Sequence, residues 1–214
     1  MGLTAREPKT YATIISDGTI RVKTSESDPK AVKRHFKLSD GTEGDKWEQV
    51  YHELSGKIAG ILFVGGNYGK TLNITVNDGE DIILQMSMQS NYAEDVMKKL
   101  PSLDLTQPVT FKPYSFEDSK KKLRRGISVI QGEVKIKSFF HDEKNNPIND
   151  FPAFTGDPKD KEDWKIYFLT TRKFLQKFIE DNIQPMFLLG TINSVTEAEP
   201  SLVDDDVAVP GDPF

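Results

Sequence analysis

The chain of 214 residues contains no cysteine. Disulfide bonds, thiolate nucleophiles and cysteine-based zinc sites are therefore excluded, and the composition fits a reducing compartment. No apolar run approaches the roughly 20 residues that span a bilayer, and the first residues lack the apolar segment of a secretion signal. The sequence predicts a cytoplasmic protein without a membrane partner.

Signals for metal or nucleotide chemistry are also sparse. His35, His52 and His141 do not have the spacing of metal ligands, and no nucleophile motif accompanies them. Residues 65–71 lack the first glycine of a phosphate-binding loop, and they lead into a strand pattern instead of a helix. We therefore expect a protein that is not an enzyme and holds no cofactor or metal.

Positive charge is missing from one end of the chain. The net charge is -5 at pH 7, but residues 197–214 contain six acidic side chains and no Lys or Arg, so residues 1–196 carry +1. Such asymmetry is typical of nucleic-acid-binding proteins and of interaction tails. The acidic end is too poor in apolar residues to fold. We predict a folded domain over 1–196 and a disordered interaction tail over 197–214.

The chain does contain many short segments of alternating polarity, separated by turn residues. The predicted strands are 10–15, 19–24, 32–38, 47–54, 57–64, 71–76, 81–88, 109–116, 127–140 and 186–195. Asp17-Gly18 and Asn77-Asp78-Gly79 lie between consecutive strands, and Asp-Gly favours the positive φ angles of tight hairpin turns.

Helical patterns are few. Apolar residues at helical spacing predict helices over 92–100 and 161–182, and residues 141–160 are predicted to form a long loop. Short strands with a few helices favour a mainly β (α+β) fold, arranged as an antiparallel barrel or sandwich. Our preferred architecture is an OB-like antiparallel barrel elaborated with hairpins and helices.

The last eleven residues join Asp204-Asp205-Asp206 to the end Asp212-Pro213-Phe214. This end resembles the tails of bacterial and phage single-stranded DNA-binding proteins, which finish in Asp-Asp-Asp-Ile-Pro-Phe or a similar aromatic terminus. The resemblance implies that Phe214 and the aspartates recruit replication or repair proteins such as a polymerase, helicase or primase. It also implies that the tail competes with DNA. A Val-Ala-Val-Pro-Gly insert separates the two halves, which favours a dedicated phage system in the host cytoplasm.

Binding of single-stranded DNA needs cations for the phosphates and aromatic faces for the bases. Both occur together in 109–140, where alternation places aromatics and lysines on shared strand faces. The candidate DNA-binding residues are Lys112, Tyr114, Phe116, Lys120, Lys121, Lys122, Arg124, Arg125, Lys135, Lys137, Tyr68, Arg21 and Lys23. Further candidates are Lys33 and Lys37 for phosphates and Trp47, Tyr51 and Tyr92 for stacking, although Trp47 and Trp164 fit a core better.

The leading hypothesis is a non-catalytic protein that coats single-stranded DNA in phage replication, recombination or repair. A virion structural or assembly protein with a docking tail is the alternative. A Mg-dependent nuclease is a third hypothesis, because Glu133 and Lys135 on a strand, with Asp118 upstream, imitate a metal-binding nuclease core. The sequence is compatible with a homo-oligomer and does not specify one.

Overall fold

The structure is a computed structural model that describes residues 9–37, 41–66 and 69–188. Its strands are β1 (Thr10–Ile14), β2 (Ile20–Lys23), β3 (Val32–Lys37), β4 (Glu43–Tyr51), β5 (Leu54–Gly66), β6 (Gly69–Asn77), β7 (Asp81–Ser87), β8 (Val109–Glu117), β9 (Leu123–Gln131) and β10 (Val134–Lys135). The helices are α1 (Asn91–Lys99), α2 (Lys161–Asn182) and α3 (Gln184–Leu188), with a 3-10 turn at Leu100–Ser102. The predicted mainly β (α+β) class is confirmed.

The strands form one ten-stranded sheet in the order β10-β9-β8-β5-β6-β7-β1-β2-β4-β3. Neighbouring strands are antiparallel except β1 and β7, which run parallel. The sheet is therefore mixed, whereas the sequence predicted an antiparallel arrangement. Alternation along a strand indicates which residues share a face but not which distant strand lies beside it. In the described part of the chain, strand pairing does not close the sheet into a barrel.

The sheet nevertheless curls back on itself. Gly18, in the turn between β1 and β2, lies against the backbone of β8, so a Cβ at this position would lie 2.7 Å from the carbonyl carbon of Tyr114. Gly18 also has a φ of +82°, a conformation that other residues rarely adopt. The first hairpin turn and β8 meet here, although β2 lies five positions from β8 in the strand order.

One face of the sheet carries the hydrophobic core. Ile61, Ile74, Leu84, Ala12 and Val22 form a row of directly opposite partners across five strands. The first four of these are buried, and Val22 packs against them from the margin. Burying a large aliphatic side chain stabilises the fold by about 1.5–3 kcal/mol. Helix α1 covers this core with Ala93, Val96 and Met97.

The two predicted hairpins are confirmed. Ile14 lies opposite Ile20 across the Asp17-Gly18 turn, and Asn77 lies opposite Asp81 across the second turn. The Asp17 carboxylate accepts a hydrogen bond of 2.8 Å from the backbone N–H of Thr19, which fixes the first turn. In both turns the glycine supplies a positive φ, as the sequence pattern predicts.

Two predicted strands are wrong. Residues 127–140 do not form one strand, because β9 ends at Gln131 and Gly132 turns the chain with a φ of +60° into the two-residue β10. Residues 184–188 form α3, not the start of a strand over 186–195, and 189–195 lie outside the described residues. Pro185 fits the first turn of α3, where its missing N–H is not needed.

The predicted helix over 161–182 is confirmed as α2, and the predicted loop before it is confirmed too. Asp160 caps the helix, since its carboxylate accepts a hydrogen bond from the backbone N–H of Glu162. Phe140 of the preceding segment is fully buried, and its ring packs 5.0 Å from that of Phe178 and 5.5 Å from that of Phe174. These aromatic contacts fix the loop to α2.

Candidate nucleic-acid interface

The β8–β9 hairpin presents aromatic and basic side chains on the face opposite the core. Phe111 is buried in the core, whereas Lys112, Tyr114 and Phe116 alternate onto the other side of β8, as predicted. The rings of Tyr114 and Phe116 lie 5.7 Å apart, and Phe116 is 54% exposed. An exposed aromatic ring of this kind is a platform on which a base can stack.

Tyr114 is held in place by its surroundings. Its ring lies against Gly126, its opposite partner on β9, where a Cβ would approach Tyr114 Cζ to 2.7 Å. Burial, and then the negative charge of Asp95 on α1, raise the pKa of the Tyr114 hydroxyl. Tyr114 is therefore the packed ring of this pair, and Phe116 is the ring that is more accessible to a ligand.

The loop at the tip of this hairpin is organised by Asp118. Its carboxylate accepts hydrogen bonds from the backbone N–H of Lys120 at 2.8 Å, the N–H of Lys122 at 3.0 Å and Arg124 Nε at 2.9 Å. The backbone hydrogen bond from Lys122 is the main cause of the lowered pKa of Asp118. The loop thus has a defined shape, with Lys121 in a left-handed conformation at a φ of +57°.

The lysines of this loop are available for phosphates. Lys120, Lys121 and Lys122 are all exposed, and within the described residues none of them forms an ion pair. Arg124 lies on the same face as Phe116, its opposite partner, and is neutralised by Asp118. Three exposed ammonium groups beside an exposed ring meet both requirements of single-strand binding.

Arg125 occupies a different position from Arg124. It follows Arg124 on β9 and therefore alternates to the other face, where its Nε is buried and has no hydrogen-bond partner among the described residues. Its positive charge acts on the buried Tyr92, although burial dominates and raises the pKa of that hydroxyl to about 12. Arg125 thus lies at the margin of the core beneath the hairpin.

Lys135 and Lys137 are separated from the loop. Lys135 lies opposite Ile130, which is six residues or about 20 Å along β9 from Arg124. Lys137 lies beyond the end of β10 and forms an ion pair of 3.2 Å with Glu143. The prediction that Lys135 and Lys137 share a strand face is wrong, because β10 ends at Lys135.

The second basic surface predicted from the sequence is mostly neutralised by carboxylates. Arg21 on β2 forms an ion pair of 3.0 Å with Asp17. Lys33 and Lys37 on β3 pair with carboxylates of β4, Lys33 at 2.7 Å and Lys37 at 3.6 Å. Lys23 is exposed at the end of β2. Lys112 on β8 has a partner as well, Glu53 at 3.6 Å.

The remaining aromatic candidates lie apart from the hairpin face. Tyr92 is buried in the core, and Trp164 stacks on Phe154 with ring centroids 4.0 Å apart. Trp47 is partly buried and Tyr51 exposed, both on β4. Tyr68 lies outside the described residues, as do the tail residues Asp204, Asp205, Asp206, Asp212 and Phe214.

Two residues of the interface were not identified from the sequence. Gly126 makes room for Tyr114, and Asp95 of α1 supports the same region by accepting a hydrogen bond of 2.8 Å from the backbone N–H of Ile127. A glycine inside a predicted strand is a signal for close approach of another group, so Gly126 was open to prediction. Asp95 could not be predicted as part of the interface from the sequence, because only the packing of α1 on β9 brings its carboxylate to Ile127.

The residues of the nuclease hypothesis are not brought together. Asp118 precedes β9 and Glu133 follows it, about 30 Å apart at the usual rise per residue. Among the side chains that the structure describes, no group of three or more His, Asp or Glu is arranged to hold a metal ion. None of the described helices has the length and apolar character needed to cross a membrane.

Comparisons of the chain with protein-family models, with curated proteins and with solved structures find no match.

Proposed function

We propose that the protein is a non-catalytic single-stranded DNA-binding protein that acts in phage DNA replication, recombination or repair. The observation that carries the proposal is the outer face of the β8–β9 hairpin. There, the exposed ring of Phe116 lies beside Tyr114 and next to a loop with three exposed lysines. Stacking on the ring contributes about 1–3 kcal/mol per base, and the lysines neutralise phosphates.

The curled sheet supports an OB-like architecture for this function. The core lies on one face, and the first hairpin turn touches β8, so the sheet wraps around its core as a barrel wall does. In OB-fold proteins, single strands bind to the outer face of such a wall and to its loops. The candidate interface occupies this kind of position.

The sequence of the acidic tail adds a second part to the proposal. Residues 197–214 recruit replication proteins such as a polymerase, helicase or primase through Phe214 and the aspartates. The same aspartates compete with DNA for the lysines of the hairpin loop, because both are anionic. The support for this part is the resemblance of the tail to those of bacterial and phage single-stranded DNA-binding proteins.

The salt dependence of binding tests the role of the loop. Simultaneous replacement of Lys120, Lys121 and Lys122 by Ala removes three phosphate contacts. For single strands, the slope of log affinity against log salt should become shallower by about 2. Affinity for an oligo-dT is measured by fluorescence anisotropy at several salt concentrations.

A matched variant shows whether position or only net charge matters. Lys30, Lys144 and Lys159 are also exposed but lie in other loops. Their replacement by Ala changes the net charge equally and should leave the slope nearly unchanged. Equal slopes for the two triple variants would place the DNA elsewhere on the protein.

A further inference from the structure

Helix α2 carries apolar side chains on two opposite sides. Leu175 and Ile179 are fully buried in the core, whereas Ile166 is 61% and Leu169 58% exposed. Ile166 lies two and a half turns before Leu175 and therefore points in the opposite direction. Among the large apolar side chains exposed in the described part of the chain, Ile166 and Leu169 are the only pair one helical turn apart on the same helix. Adjacent exposed apolar side chains of this kind mark an interaction surface.

The residues on either side of this apolar pair carry opposite charges. Glu162 lies one turn before Ile166, and Lys173 lies one turn after Leu169, and both are exposed. The successive spacings of four, three and four residues keep all four side chains on one stripe of the helix, as in the seam of a coiled coil. We call Glu162, Ile166, Leu169 and Lys173 the outer stripe of α2.

The outer stripe is complementary to itself when two helices run antiparallel. Glu162 and Lys173 are equally far from the midpoint of the stripe, and so are Ile166 and Leu169. A two-fold axis through that midpoint brings Glu162 opposite Lys173 of a second copy, and Ile166 opposite its Leu169. We propose that the protein forms a homodimer by antiparallel pairing of α2 through the outer stripe. The pairing uses no residue of the β8–β9 hairpin, so the inference is independent of DNA binding.

Both charged residues of the outer stripe are accessible to a second copy. Glu162 forms an ion pair of 2.6 Å with Lys165 of its own helix through Oε1, and the two side chains are 70% and 68% exposed. Water screens so exposed a pair, and the carboxylate can therefore also attract a lysine of a second copy. Lys173 forms no ion pair with any described residue. A parallel pairing would bring like charges together, so the charges select the antiparallel one.

The expected dimer is weak. The outer stripe covers only about three turns of helix, a smaller contact than the roughly 1,200–2,000 Å² of stable interfaces. We expect a dissociation constant on the order of 100 µM. Sedimentation equilibrium of the full-length protein measures it over about two decades of concentration around this value. A protein that stays monomeric throughout would overturn the proposal.

Charge reversal tests the antiparallel register. Glu162→Lys brings two lysines together at both charged contacts of a symmetric dimer and should weaken self-association at least about tenfold. Lys173→Glu should do the same with two glutamates. Because both positions are exposed, the two variants should keep the circular dichroism of the wild type.

Mixing these two variants is the matched control. In a dimer of one copy of each, opposite charges face each other again at both contacts. The equimolar mixture should therefore associate about as tightly as the wild type, although neither variant does so alone. Self-association of a single variant at the wild-type affinity would overturn the proposal, and so would folded variants that fail to associate when mixed.

The apolar pair is tested by Leu169→Gln, with Leu62→Gln on β5 as the control. Leu169 enters a symmetric dimer twice, so its loss should weaken self-association at least about tenfold. Leu62 is 56% exposed, much as Leu169 is, but lies away from α2 and should leave the dissociation constant unchanged. Neither substitution should alter thermal unfolding of the monomer, because both side chains are largely exposed. Weakened association in both variants, or in neither, would overturn the proposal.

Discussion

The ring of Tyr114 lies directly against Gly126, the residue opposite it on the neighbouring strand. A Cβ at position 126 would lie 2.7 Å from Tyr114 Cζ and 2.9 Å from Asp95 Oδ2, so only glycine leaves room for both groups. Glycine costs a strand some stability because it is flexible and has no side chain to pack. Here it allows the sheet, helix α1 and the aromatic pair of the candidate interface to meet.

Gly126→Ala should displace the Tyr114 ring and destabilise the protein by about 1–3 kcal/mol, as overpacking does. Urea unfolding measures the free energy of unfolding. The control is Gly65→Ala, since an added Cβ at Gly65 meets nothing within 4 Å. Comparable losses in the two variants would show that the effect comes from replacing a strand glycine and not from the contact with Tyr114.

Phe116→Ala should weaken binding of an oligo-dT by about 1–3 kcal/mol through the loss of base stacking. Because Phe116 is largely exposed, unfolding should change little. Leu123→Ala is the matched control. Leu123 is 48% exposed on the same hairpin, directly after Lys122, but its side chain has no aromatic ring. If Leu123→Ala weakens binding as much as Phe116→Ala, apolar contact and not stacking explains the affinity.

Asp95→Ala should destabilise the protein by about 3 kcal/mol, because it removes the partner of a buried cation. The ammonium of Lys99 lies 2.7 Å from Asp95 and donates a hydrogen bond of 2.5 Å to the carbonyl oxygen of Ile127. Burial already lowers the pKa of Lys99. The double variant with Lys99→Met should lose less stability than the two single losses added together, and simple additivity would rule out this coupling.

Tyr92 should make the protein unstable at alkaline pH. Burial raises the pKa of its hydroxyl from 10 to about 12. With the folded-state pKa above the unfolded one, the stabilisation is complete below pH 10 and is lost as the pH rises toward 12. The loss is about 2–3 kcal/mol. Tyr92→Phe should flatten the pH dependence of unfolding in this window, whereas Tyr51→Phe, at an exposed position, should leave it as in the wild type.

Local signals in the sequence predicted the local structure well. The Asp-Gly turns specified both hairpins, and the spacing of Trp164, Phe168 and Leu175 specified α2, because turn geometry and helical periodicity depend only on nearby residues. Gly132 shows the limit of such signals. Its positive φ ends β9, but the apolar pattern continues past it and favoured one long strand.

Relationships between distant segments were not predictable in this way. The parallel pairing of β1 with β7 and the packing of Phe140 against α2 join residues that are far apart in the sequence. For the candidate interface, alternation predicted the shared face of Lys112, Tyr114 and Phe116. It did not predict which cations have carboxylate partners, since ion pairs such as that of Arg21 with Asp17 depend on side-chain geometry.

The central claim is tested most directly by anisotropy of a labelled oligo-dT, titrated with full-length protein and with a truncated protein that ends at Val195. The measurement is made at low and at high salt. The account predicts binding that weakens steeply with salt and strengthens when residues 196–214 are removed, because the acidic tail then no longer competes with DNA. Absence of binding by both proteins at low salt would contradict it and would favour a role in virion assembly, with the tail as a docking peptide.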